Sequence, residues 1–168
     1  KDIQVAQTIN EDVLKYLQIE NNYEDSYKGF LYGSFIKTVH NKIKIIEFNS
    51  RLGDPEAVPI LNLLKTDLNI VFKSIVNGNL NEIKFDFDDK ISLTRYIVPI
   101  NYAKGETIKN KLDIPNRENI FFGDIRFRNN NFYTNNSRTL CVFNCGSNVS
   151  DVYKENTNII NSIKGSYH

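Results

Sequence analysis

The sequence predicts an α+β chain, with helix packed on mostly antiparallel sheet, and three observations carry that expectation. Leu61, Leu64, Leu68, Val71, Phe72 and Ile75 keep a helical stripe. From Ile83 onward, strand-like runs alternate with Asn-rich turns at Asn129-Asn130 and Asn135-Asn136. Near the end, Val152, Ile159, Ile160 and Ile163 form the apolar side of a closing helix, with Gly165 as its cap.

Asn10 is the expected N-cap of a short helix through Val13, Leu14 and Leu17. Residues 21–26 are polar and loop-like. Residues 29–38 and 42–49 are expected as two strands joined near His40-Asn41, since Asn tolerates the left-handed backbone of hairpin turns. Leu52-Gly53 is a turn. Asp54-Pro55-Glu56 reads as the N-cap, first-turn proline and acidic first turn of the next helix. Pro59 lacks the N–H that would bond back to Pro55, so a short or distorted first turn is expected. Asn77-Gly78 ends that helix and marks the expected domain boundary, residues 1–78 and then 79–168. In the second part, strands are expected over 92–100, 120–128, 132–134 and 139–144. A turn over 146–150 leads into a helix over 152–164.

The 168 residues suit one ordinary domain or two small ones, and 40% hydrophobic content is enough for a core. The formal net charge is +1, which gives no reason to expect nucleic acid or an anionic membrane as a partner. No apolar run approaches the ~18 residues of a membrane span. The chain opens on Lys1 without a signal-peptide pattern, as expected of a processed, cut or partial product. Cys141 and Cys145 would lie on one face of a strand ~13 Å apart, too far for a disulfide. No His cluster accompanies them, so a zinc site is not expected. A reducing, cytoplasmic compartment is the natural one.

Side chains on a strand alternate faces. Glu47, Asn49 and Arg51 therefore share one face if the strand stays regular, and Ile46, Phe48 and Ser50 share the other, core-facing side. A hard Mg2+ or Mn2+ takes oxygen ligands and commonly shares them with phosphate. Glu47 and Asn49 supply such oxygens, and Arg51 can hold a phosphate beside them. By itself such a face is that of any solvated strand, where cross-strand ion pairs contribute under about 1 kcal/mol.

The longer run is more specific. Residues 44–57, Lys-Ile-Ile-Glu-Phe-Asn-Ser-Arg-Leu-Gly-Asp-Pro-Glu-Ala, resemble the signature of the glycinamide ribonucleotide synthetases, ATP-grasp ligases of purine biosynthesis. Upstream, Tyr27-Lys28-Gly29-Phe30-Leu31-Tyr32-Gly33 resembles the family's preceding strand, and Leu64-Lys65-Thr66-Asp67-Leu68 its helix segment. Arg95-Tyr96-Ile97-Val98-Pro99 and the stretch from Ser137 to Lys164 resemble its small C-terminal domain. The resemblance implies the C-terminal part of an ATP-grasp domain followed by a small, mostly antiparallel β domain with a closing helix. It implies ATP, glycine and phosphoribosylamine as substrates, joined through a glycyl phosphate. Glu47 and Asn49 would be metal ligands, Arg51 a phosphate or substrate contact, and Asp54 and Glu56 shapers of the nucleotide and substrate loop. Two departures stand out. Ser34 occupies the place where some relatives carry a further, longer metal ligand, and the segment before Tyr27 is shorter. The family's N-terminal domains, lid and adenine-gripping lysine would have to be supplied in cis or in trans, so the chain alone is expected to be inactive. A non-catalytic binding module and a related ligase with another substrate are the alternatives.

Other groupings have plainer explanations. His40 and His168 have no visible partner. Ser147 and Ser150 are expected to cap the closing helix rather than act as nucleophiles. The acidic-aromatic run 85–90 reads as a strand edge with a turn rather than a calcium site. Arg126-Phe127-Arg128 with Phe132-Tyr133 could form an RNA-stacking surface, but a hairpin with one face on a core accounts for the pattern.

Overall fold

The computed structural model describes residues 1–20, 27–115 and 118–167, and the loop expected over 21–26 lies outside them. The chain divides into two compact units, Lys1–Ile60 with Leu64–Phe87, and Leu61–Leu63 with Asp88–His168. The division follows Phe87 rather than Gly78. Leu64 forms a β-bridge with Phe87, and the backbone N–H groups of Lys65 and Thr66 donate to the Asp86 carbonyl. These bonds tie the segment after Gly78 back to the first unit.

In the first unit, α1 (Asp2–Glu20) is longer than expected, and Asn10 lies inside it instead of capping it. The half-buried positions Ala6, Ile9, Asn10, Val13, Leu14 and Leu17 extend the apolar stripe toward the N-terminus, and the helix follows the stripe. Strands β1 (Tyr32–Lys37) and β2 (Ile43–Asn49) form an antiparallel two-stranded sheet. Asn41 takes a left-handed backbone (φ 56°) at the hairpin turn, as its sequence requires. A Cβ on Gly33 would stand 2.5 Å from Asn10 Oδ1, so the glycine lets α1 lie close against β1.

The expected helix over residues 57–77 is two helices. In α2 (Ala57–Leu63), Pro59 is the third residue, where a missing N–H costs no intrahelical bond. Asp67 then caps α3 (Leu68–Asn77), its carboxylate accepting from Asn69 N–H at 2.8 Å. That local cap competes with continuing the first helix and wins. Gly78 ends α3 in the left-handed conformation, φ 75°, as expected.

The second unit holds two antiparallel sheets. One has the order β3 (Ile91–Ile97), β8 (Leu140–Gly146), β5 (Ile120–Phe122). The other runs β6 (Ile125–Arg128), β7 (Asn131–Thr134), β4 (Lys111–Asp113), β9 (Lys164–Gly165). The single strand expected over 120–128 is broken at Gly123-Asp124. There the two backbone N–H groups donate to Thr139 and Arg138 carbonyls at 2.9 and 2.8 Å. A Cβ on Gly123 would meet the Arg138 carbonyl at 2.5 Å. The chain thereby passes from one sheet to the other.

Ile97, Leu112, Ile114, Leu140, Val142 and Ile163 form the buried core of this unit. Helix α4 (Val149–Ser162) packs on β8 and β3. Its cap is Asn148, which accepts from Ser150 and Asp151 N–H at 2.8 and 3.3 Å; neither serine caps it. Gly165 is a strand residue against Leu112 rather than a helix cap. A Cβ there would stand 2.6 Å from the Lys111 carbonyl. Cys141 is buried and Cys145 half-buried, and the two are not joined in a disulfide.

Asp124 locks the turn after β7. Its carboxylate accepts from Asn135 Nδ2 at 2.6 Å and from Asn136 and Ser137 N–H at 2.9 and 2.8 Å. The Asn135 bond above all, with the two backbone bonds and the Arg126 charge, holds its carboxyl below the usual range against the push of partial burial. A depressed folded pKa contributes stability above the unfolded value, and that stability is lost as pH falls through the folded value. Unfolding of the chain followed from pH 6 down to 2 is expected to show a loss of stability below about pH 4. In Asp124→Asn that loss should shrink; an unchanged acid limb would contradict the assignment.

Candidate functional site

The β1–β2 hairpin and the loop after it gather most of the residues singled out from the sequence. Tyr32 pairs with Asn49 and Ser34 with Glu47, so all four side chains share one face of the sheet. Asn49 Nδ2 donates to Glu47 Oε1 at 3.0 Å. A carboxylate oxygen and an amide group thus lie side by side, as the alternation required. Ser34 stands directly across from Glu47.

Three expectations are corrected here. β2 ends at Asn49, so Arg51 is not a third member of the strand row. It lies in the bend beyond, where its Nη1 donates to the Leu52 carbonyl at 2.9 Å. The supposed core-facing side is also not a buried one: Ile46 is 61% exposed and Phe48 37%. The sheet has two strands, and a bulge opposite Ser34/Phe35 leaves Ile46 without a partner. Finally, Asp54 is not the helix N-cap. The Asp54-Pro55 bond is cis, and the residue preceding α2 is Glu56, whose side chain caps nothing.

Glu56 turns its carboxylate to Tyr32 instead. Burial pushes the Tyr32 phenol up, helped by the hydrogen bond it donates to Glu56 and by the Glu56 and Glu47 charges, and opposed by the Ser34 hydroxyl. Gly53 makes the contact possible. A Cβ there would stand 2.5 Å from Glu56 Oε2 and 2.7 Å from the Tyr32 ring. From Gly53 the backbone turns directly toward α2, with Ala57 N–H donating to the Gly53 carbonyl at 2.8 Å.

Tyr32 and Gly53 therefore hold the loop that carries Asp54 and Glu56 against the strand that carries Glu47 and Asn49. Tyr32 had no role from the sequence. Its spacing of two from Ser34, on a strand facing Glu-x-Asn, was the available signal. The donor set suits a hard divalent cation, offering a carboxylate and an amide oxygen with room for phosphate and water oxygens. Among the described residues no group of three or more His, Cys, Asp or Glu could hold a metal.

No protein-family model matches the chain. Curated relatives do. The phosphoribosylamine–glycine ligase of Methanobrevibacter smithii is 36% identical over 176 residues, covering 99% of this chain and 38% of that protein. That of Methanococcoides burtonii is 34% identical over 147 residues, covering 86% and 34%. That of Methanocella arvoryzae is 31% identical over 144 residues, covering 84% and 33%. The chain thus spans roughly a third of the length of these relatives. Among solved structures, the phosphoribosylamine–glycine ligase of Thermotoga maritima superposes with a TM-score of 0.69 at 20% identity, covering 88% of this chain and 38% of that one. The shared fold is the α+β arrangement that the sequence predicts.

Proposed function

We propose that this chain, which belongs to the phosphoribosylamine–glycine ligase family, supplies the metal- and phosphate-facing wall of an ATP-dependent ligase site. The observation that carries the reading is the shared face of Tyr32, Ser34, Glu47 and Asn49, with Glu47 and Asn49 hydrogen-bonded at 3.0 Å beside the Gly53–Glu56 loop. In this reading the first unit is the C-terminal portion of an ATP-grasp domain and the second the small domain that follows, with the boundary expected at residue 78 moved to Phe87.

The reaction would begin with transfer of the ATP γ-phosphoryl group to the carboxylate of glycine. The amine of phosphoribosylamine then attacks the acyl carbon and phosphate leaves, giving glycinamide ribonucleotide, ADP and phosphate. Glu47 and Asn49 would hold a Mg2+ or Mn2+, which when bound offsets negative charge on the phosphates. Arg51 would exchange its bond to the Leu52 carbonyl for a phosphate oxygen, where a guanidinium binds bidentately. Asp54 and Glu56 would border the nucleotide and substrate, with Tyr32 fixing Glu56. Phosphoryl transfer depends on positioning and on excluding water, and the lobe that grips adenine and covers the phosphates would come from other residues, in cis or in trans.

The test is a splice. The matching third of the M. smithii ligase is replaced by these 168 residues, and product formation is followed with ATP, phosphoribosylamine and glycine. Glycine-dependent release of ADP is expected from the chimera and none from the 168 residues alone. A folded chimera that turns over only another amino acid would point to a different ligase. A folded chimera with no turnover would favour a binding module.

A further inference from the structure

We propose that the outward face of the β4–β6–β7 sheet binds a phosphate-bearing small molecule. The register sets the cations in place. Arg126 pairs with Tyr133, and Tyr133 with Lys111, so these side chains form one row across three strands on one face. Arg128 lies two residues along β6, on the same face and roughly 7 Å from Arg126. Leu112, Phe132 and Ile125 take the opposite face and pack into the core. A slip of one residue would therefore bury charge. The tight turn Asn129-Asn130, with φ of 50° and 57°, holds that register.

Lys109, Arg126, Arg128, Asn129, Tyr133 and Thr134 line a cleft of about 330 Å³, within the range of small-molecule sites. Among the described residues, no side-chain hydrogen bond or salt bridge engages Lys109, Lys111, Arg126 or Arg128. The nearby Asp124 carboxylate is committed to Asn135, Asn136 and Ser137, although the Arg126 charge still acts on it. Asp113 is the one carboxylate on the outward side of β4. The chain balances 21 Lys and Arg against 20 Asp and Glu, so this concentration of cations is local. Like charges so close repel, and an oxyanion would relieve that repulsion. Two guanidinium groups match phosphate oxygens bidentately, and the Tyr133 hydroxyl and Asn129 amide add donors. The volume suits a sugar phosphate or mononucleotide. A nucleic-acid strand needs an extended basic track, which the near-neutral chain does not provide. The site lies wholly in the second unit and stands independently of the ligase reading.

The probes are inorganic pyrophosphate, AMP and a single-stranded RNA 12-mer, titrated calorimetrically into the 168-residue chain at low salt. Saturable binding of pyrophosphate or AMP is expected, weakened at least about tenfold in R126Q/R128Q and unchanged in K73Q/K154Q, which removes equal charge elsewhere. Thermal unfolding of both variants checks that the fold is kept. Absence of saturable binding overturns the proposal, as does equal loss in both variants. RNA binding about 100-fold tighter than AMP would also overturn it, because the face would then serve an extended polyanion.

Discussion

Glu47→Gln in the chimera with the M. smithii ligase is expected, on the ligase reading proposed above, to lower metal-dependent turnover by about 100-fold or more, the scale on which removal of one charge-stabilising group acts in phosphoryl and acyl transfer. Glu47 is exposed, and among the described residues its hydrogen-bonded side-chain partner is Asn49. Glutamine keeps an acceptor for that bond while losing the negative charge a cation requires. The fold should therefore be unaffected, with a stability change within about 0.5 kcal/mol. Turnover measured against Mg2+ concentration, alongside thermal unfolding, separates the effects. Activity within a few-fold of the parent at saturating Mg2+ would remove Glu47 from the site.

The second large effect is structural and sits in the second unit. Asn156 is fully buried. Its Nδ2 donates to the Val142 carbonyl at 3.0 Å and to Asn144 Oδ1 at 2.9 Å, and its Oδ1 accepts from Arg95 Nε at 2.6 Å. Arg95 also donates to Thr157 Oγ1 at 2.7 Å and lies over the Tyr153 ring at 5.1 Å. Asn156 thereby links α4 to β3 and β8. Asn156→Ala leaves a guanidinium, a carbonyl and an amide without their partner, which should cost about 3–5 kcal/mol, a large share of the stability of a small domain. Asn156→Asp keeps the Arg95 contact but turns a carboxylate toward two oxygens, so it should be nearly as damaging. Denaturant midpoints read both. A loss for Asn156→Ala of under about 1 kcal/mol would mean that water replaces the side chain and that the network is not a structural tie.

The sequence made legible whatever depended on local spacing. The hairpin turn at Asn41, the Gly78 helix end and the strands around residues 92–97 and 140–144 follow from turn chemistry and alternation. So did the shared face of Glu47 and Asn49. Tertiary competition was not legible. Nothing in the stripe from Leu61 to Ile75 says that Asp67 will start a new helix. The run 120–128 looks continuous until the Arg138 carbonyl closes on Gly123. β4 escaped notice because it is three residues long and buries only Leu112 from its own span. Arg51 was placed by extending a strand two residues too far, and the Tyr32–Glu56 contact joins residues far apart in sequence through a loop whose path no local rule fixes.

The pairing of β3 with β8 bears on the order in which the second unit can assemble. Its first strand has no sheet neighbour until the chain has passed through β4, β5, β6 and β7. On a ribosome, β3 must therefore wait with its edges unpaired while the β6–β7 hairpin, closed by adjacent asparagines, is already able to form. Loop closure on that scale slows folding and leaves edges open to wrong partners. The buried faces that define this unit are thus available only once the chain has been delivered through β8.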